Sequence, residues 1–230
     1  MNKFGEILSQ VLTTSNTYDS IKVTFQMALF STAISSFLGI ISGLFLERSS
    51  FPGKQIIVRI NRTLMGVPPV VVGLVVYLLV MRRGILGSLG FLYNIKAMIL
   101  AQTLIITPII SGMIYSFAIK TAPSIRTFAK IMGASKLQTD ILLLKEMKNE
   151  IFFTIVTGFG RSISEVGAVM LVGGNIKGQT RTMTTTISLL KSQGIFQEGV
   201  MLGLILLVMA FVLQSLADFF RKEETTSDNY

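Results

Sequence analysis

Residues 21–46 read IKVTFQMALFSTAISSFLGIISGLFL, and Lys22 is the only charged side chain among them. A bilayer's hydrocarbon layer is crossed by about 20 consecutive apolar residues in a helix, and this run is longer. It lacks the strict alternation of a barrel strand, so in lipid its backbone must satisfy its own hydrogen bonds as a helix. Four further runs share this character, at about Ile56 to Val80, Ile95 to Ile119, Ile151 to Val172 and Gly199 to Ala217. The expected fold is therefore an all-α membrane protein with about five transmembrane helices. A sixth crossing is left open by Met183 to Ile195, which is moderately apolar but too short and too polar to cross alone.

The composition agrees. Of 230 residues, 50% are hydrophobic and 14% charged, with a mean hydropathy of +0.65; soluble domains carry about 25% charged residues. Cys, His and Trp are absent. That excludes disulfides, thiol chemistry and Cys/His zinc sites, and equally a catalytic histidine or a Ser-His-Asp triad. The formal charge of +9 sits mostly between the apolar runs. This is the usual flanking pattern of membrane helices and gives no reason to expect nucleic acid.

Residues 1–20 lack the basic, apolar, small-residue order of a cleavable signal, so the first span is expected to be retained. Within them Phe4, Ile7, Leu8, Val11 and Leu12 recur at helical spacing, as in a helix lying in the interface or a plain membrane-proximal cap. Residues 219–230 form a polar tail. Between the spans, 12 Lys and Arg fall on the side of Arg48 and residues 120–150, against 8 on the other. The positive-inside bias then puts the N-terminus outside and the C-terminal tail in the cytoplasm.

The longest inner loop, residues 120–150, reads KTAPSIRTFAKIMGASKLQTDILLLKEMKNE. Pro123 is expected to end the preceding helix. Ile125, Phe128, Ala129 and Met132 then form an apolar stripe beside Lys130 and Lys136. Gly133-Ala134-Ser135 interrupts it, and a second amphipathic stretch runs from Leu137 to Leu144. The pattern predicts two short helices hinged at glycine. They could dock into a cleft on a soluble partner or lie as a basic linker on the lipid surface; the pattern favours neither.

Three other places hold candidate residues. Pro68-Pro69 removes two backbone donors, and an interrupted helix in a membrane is tolerated against protein or a water-filled path. Arg161 and Glu165 are spaced to pair along one helix face, with Gly158 and Ser162 nearby. Buried charges in a membrane face a bundle interior or cavity, so this group either lines a translocation path or ties helices together. On the outer side GQTRTMTTTIS, residues 178–188, offers Arg181, Thr184 and Thr185 to an oxyanion or docked partner, or simply forms a capped surface helix. No G-x-x-x-x-G-K-[ST] phosphate loop occurs, since Gly53-Lys54 lacks its context. Any ATP hydrolysis must then belong to another polypeptide.

The inner loop resembles the coupling loop of ABC importer permeases. Ala129, Gly133 and Leu143 fall on its alanine, glycine and isoleucine positions, with Met132, Ala134 and Ser135 around the hinge. Thr127, Phe128 and Lys145-Glu146 depart from the general pattern, and the Lys-Glu ending is that of the tungstate type. Gly66-Val67-Pro68-Pro69-Val70-Val71-Val72-Gly73 with Arg82-Arg83-Gly84 is similar to the second span of molybdate and tungstate permeases. Gly160-Arg161-Ser162-Ile163-Ser164-Glu165-Val166-Gly167-Ala168-Val169 with Gly173-Gly174-Asn175-Ile176 resembles their fourth.

The resemblance implies the type I ABC importer permease fold, with residues 21–218 as the transmembrane domain, in the plasma or inner membrane. It implies passage of an oxyanion, tungstate first, with molybdate or another ligand of the same importer type as the alternative. The chain itself would be no enzyme and bind no cofactor, with ATP on a partner subunit. A separate extracytoplasmic substrate-binding protein and a pair of ABC ATPase subunits would complete the importer. One coupling loop per chain against paired ATPases implies a second copy of this chain. A self-contained channel or secondary transporter would instead show inverted repeats, and the two halves here show no convincing self-similarity.

Overall fold

The computed structural model describes residues 15–227, with side chains from Thr17 to Ser215. The stripe from Phe4 to Leu12 and the last residues of the polar tail lie outside these. Helix α1, Ser15–Arg48, and helix α4, Ile95–Ile131, form the axis of the molecule. They run parallel. The Ser35 hydroxyl donates to the Thr103 carbonyl at 3.3 Å, Gly39 lies on Ile110, Gly43 on Ser111 and Ile114, and Glu47 meets Arg126. A Cβ at Gly39 or Gly43 would fall within 2.8 Å of these neighbours. The two glycines, one turn apart, therefore set how closely the backbones approach.

Parallel neighbours require the chain to return between them. The return is made by α2, Lys54–Met65, and α3, Pro69–Val80. Val58 packs with Leu46 and Tyr115 near one end of α4, while Val76 and Val80 pack with Ala97, Met98 and Ala101 near the other. The second expected span is thus two helices, bent by 101°. Gly66 closes α2 and Pro68 stands extended before Pro69 opens α3. Two successive residues without donors make a continuous helix costly here.

Pro123 does not end its helix: α4 continues through it to Ile131. Its ring lies on an exposed face, and burial of Ala118, Ala122 and Ala129 on the opposite side holds the helix together. The first of the two expected short helices is accordingly the end of α4. Only the second, α5 at Lys136–Glu146, is separate. Gly133 between them adopts a left-handed φ of 69°, a conformation glycine reaches without strain. Ser135 caps α5 in a reciprocal box with Gln138.

Helix α6, Lys148–Ser164, runs back antiparallel to α4. The fourth expected span also breaks, at Glu165 and Val166, and resumes as α7, Gly167–Gly173, turned by 61°. Helix α8, Met183–Ser192, has 10 residues, about 15 Å of rise. It cannot cross alone, and no sixth span arises among the described residues. Its N-terminus is tied to α1, where the Met183 N–H donates to the Thr24 hydroxyl at 2.9 Å. Helix α9, Phe196–Ser227, carries the chain back and continues as helix well into the expected polar tail. Among the described residues three helices are long and apolar enough to cross a membrane, or up to five crossings with each bent pair counted as one.

Candidate functional site

The two helix breaks meet. A Cβ on Gly73 would lie 2.6 Å from the Ala168 backbone, and one on Gly167 would lie 2.5 Å from the Val70 side chain. The start of α3, with Pro69 half-buried and Pro68 exposed, therefore packs directly on the start of α7. Sequence reasoning missed this crossing. Its only signal was Gly73 inside an otherwise bulky apolar run, beside a second glycine at 167.

Glu165 sits at this junction. It is not on the helix face shared with Arg161, because it is extended just beyond the last residue of α6. The pair forms nonetheless: Arg161 Nη2 is 3.3 Å from Glu165 Oε2. The other carboxylate oxygen accepts from the Ala168 N–H at 3.3 Å, at the start of α7, where backbone donors are unsatisfied. The Glu165 carbonyl accepts from the Thr184 hydroxyl at 2.8 Å. Glu165 thus holds three elements together and is only 5% exposed, whereas the Arg161 side chain is 38% exposed.

The other candidates on α6 face elsewhere. Ser162 is fully buried and shares a 3.0 Å hydrogen bond with Ser31. A Cβ at Gly158 would reach Ile106 and Ile110 at about 3 Å. Both are packing positions against α1 and α4, so Arg161 alone of this group is substantially exposed, beside Gly160, whose Cβ would meet nothing. Ser31 lies at the middle of α1, which puts the Arg161–Glu165 pair at half depth.

At the end of the bundle where α1 begins, Arg181 donates from Nε and Nη2 to Asn175 at 3.2 Å and braces the turn at Gly173-Gly174-Asn175. Thr185 and Thr182 make the capping box of α8, and both Thr184 and Thr185 are buried. Their hydroxyls are committed to the protein, as the capped-helix alternative has it, except that the first turn of this helix, residues 183–186, is buried.

At the opposite end, α5 forms a foot. Leu143 and Met147 are buried with Ala118 and Ala122 of α4, next to Leu44 and Ile151. Ala129 is buried as well. Arg48 pairs with Asp140, and Arg126 with Glu47 at 2.5 Å. Around the hinge, Met132, Gly133 and Ser135 are exposed and Ala134 half-buried. Phe128, Ile131, Met132, Leu137 and Ile141 present an exposed apolar surface. The foot is therefore rooted in the core through Leu143 and free on its outer side. The acidic partners Glu47 and Asp140 were not anticipated, because only folding brings the end of α1 to α5.

Comparison with known proteins places this geometry. Residues 35–223 match the family described as binding-protein-dependent transport system inner membrane component. A tungstate uptake system permease protein of Peptoclostridium acidaminophilum is 43% identical over 84% of this chain and 85% of its own length. A probable anion ABC transporter permease protein of Haloferax volcanii is 34% identical over 86% of this chain and 88% of its own. Among solved structures, a bacterial alginate ABC transporter in complex with an alginate pentasaccharide-bound periplasmic protein has a similar fold. Its TM-score is 0.75 at 18% identity, over 94% of this chain and 82% of that one. The bent-helix bundle with its glycine-hinged foot is thus a multi-pass membrane protein that belongs to the family of binding-protein-dependent transport system inner membrane components.

Proposed function

We propose that this chain is the permease subunit of an ATP-driven importer for tungstate, working as a pair of copies on a pair of ATPase subunits. The observation that carries this is the foot. Its outer surface is apolar and uncovered, while Leu143 and Met147 lock its inner side to α4 and to the root of α6. An exposed apolar surface rimmed by charge suits a protein partner. A push on α5 would move α4 and α6 as one body, since packed interfaces shift between discrete arrangements rather than deform. Helix α6 leads directly to the break at Glu165, so motion at the foot reaches the crossing of α3 and α7.

Arg161 is the charge this path offers at half depth. Part of its charge is offset by Glu165, which leaves a weak attraction for a dianion, and weak sites release what they admit. Specificity then rests with an extracytoplasmic binding protein. The 43% identical tungstate permease supports tungstate as the substrate. We place the N-terminus outside and the foot in the cytoplasm, following the bias of Lys and Arg. ATP is hydrolysed by the partner subunits, and the chain holds no cofactor of its own.

The test is reconstitution in liposomes with the cognate ATPase and binding protein. Tungstate should accumulate only with ATP, with little competition from sulfate if the binding protein selects. Gly133→Trp, which places bulk at the outer surface of the foot, should abolish uptake and leave the membrane-inserted protein intact. Uptake without the ATPase, or normal uptake by Gly133→Trp, overturns the reading.

A further inference from the structure

We propose that the cleft between the foot and the end of α1 is a binding site for a phosphate-type dianion, which bridges the hinge at Gly133. The cleft is a cavity of about 430 Å³, with Arg48, Arg126, Lys130, Lys136, Asp140 and Gly133 in its lining. Arg48 is held by Asp140 and Arg126 by Glu47. Among the described residues neither Lys130 nor Lys136 has a carboxylate within ion-pairing distance, and both are exposed. Four cations therefore line the cleft against one carboxylate, Asp140; Glu47 holds Arg126 from outside it and has Lys54 beside it, so the net charge is positive by two or more.

The charge count selects the ligand class. A dianion offsets two positive charges of the excess, where a single carboxylate offsets one. A tetrahedral oxyanion also presents several acceptors at once. Lysine ammonium groups and the free N–H groups of the two arginines suit such a ligand. The cleft lies where α1 ends, the level at which basic side chains meet lipid phosphates. The same chemistry is offered by a phosphomonoester lipid headgroup and by free inorganic phosphate.

The position gives the site a consequence. Lys130 closes α4 and Lys136 opens α5, with Gly133 midway between. Without a ligand the two ammonium groups repel across the hinge. A bound dianion attracts both and draws the foot toward α4. The cleft lies at the end of α1, well away from Arg161 near its middle, so the site is separate from the proposed path and does not depend on the transport reading.

The experiment uses the purified full chain in nanodiscs at low ionic strength. One set is made of phosphatidylcholine, with inorganic phosphate added; the other contains phosphatidic acid and no added phosphate. Hydrogen exchange is followed at residues 132–138, and phosphate binding by calorimetry. Slower exchange with phosphate identifies the free ion as a ligand, and slower exchange only in phosphatidic acid identifies the headgroup; either supports the site. Lys130→Gln with Lys136→Gln should weaken binding roughly tenfold or more, from loss of two charge-assisted contacts. Lys191→Gln, exposed at the other end of the molecule, serves as the unaffected control. Unchanged exchange with both ligands overturns the proposal, as does wild-type binding by the double lysine variant. If no anion binds and the lysine variant fails to capture its ATPase, the cleft takes an acidic protein side chain and the proposal is equally overturned.

Discussion

At the scale of single residues, the Arg161–Glu165 pair is asymmetric, and the asymmetry is testable. Glu165 is buried, and losing Arg161 strands its carboxylate at half depth in the bundle. Arg161 is more than a third exposed, so losing Glu165 leaves a cation that can turn toward water or headgroups. Arg161→Ala should therefore destabilise the protein more than Glu165→Ala. Removing one partner of a buried pair costs several kcal/mol, and partial exposure brings the expected cost of Arg161→Ala to roughly 1–3 kcal/mol. The double variant should recover part of that loss, as a double-mutant cycle in detergent would show. If the double variant is folded yet transports poorly, Arg161 has a role in the path; if it transports normally, the pair is structural. The i,i+4 spacing made this pairing legible in the sequence. That Glu165 leaves the helix and caps α7 was not, because the break depends on Gly167 fitting against Val70 across space.

At the scale of elements, the apolar runs could be read from hydropathy and the shape of two of them could not. An averaged apolar run looks the same whether the helix is straight or bent by 101°. Pro68-Pro69 marked the interruption, but the angle is set by Gly73 lying on Ala168. Gly73→Ala should then force backbone apart at the crossing and cost about 1–3 kcal/mol, as overpacking does. Thermal unfolding in detergent would measure it, and an unperturbed Gly73→Ala would mean that α3 and α7 do not touch. The hinge at Gly133 makes the opposite case. Nothing lies within 4 Å of a Cβ there, so Gly133→Ala meets only the left-handed backbone penalty, roughly 1 kcal/mol. Stability should fall slightly while ATP-driven uptake falls more, because the strain is confined to the joint; Gly133→Asn, which tolerates that conformation, should retain more uptake. The same distinction explains what was legible at the foot. Apolar periodicity revealed a hinged amphipathic element, whereas the direction of each stripe, inward for Ala129 and Leu143 and outward for Met132, was fixed by α4 continuing through Pro123.

At the scale of the whole molecule, helix directions fix which ends share a side. With α1 and α4 parallel and both spanning, the bent pair α2 and α3 counts as one crossing, and the antiparallel α6 with α7 as another. Helix α9 then makes the fifth. Five crossings would put the start of α1 and the end of α9 on opposite sides, with Arg48, the foot and the end of α9 together. Helix α8 occupies the side of Ser20, whose hydroxyl is 2.9 Å from that of Thr186. The chain contains no cysteine, so single cysteines can report on sidedness without background. Gln138→Cys on the foot and Lys191→Cys on α8 are both at exposed positions. In intact cells a membrane-impermeant maleimide should label Lys191→Cys and spare Gln138→Cys until the membrane is opened. Labelling of both in intact cells would mean that one bent pair is re-entrant rather than spanning. The reverse pattern would keep the five crossings but invert the protein, and a foot outside the cell could not reach a cytoplasmic ATPase.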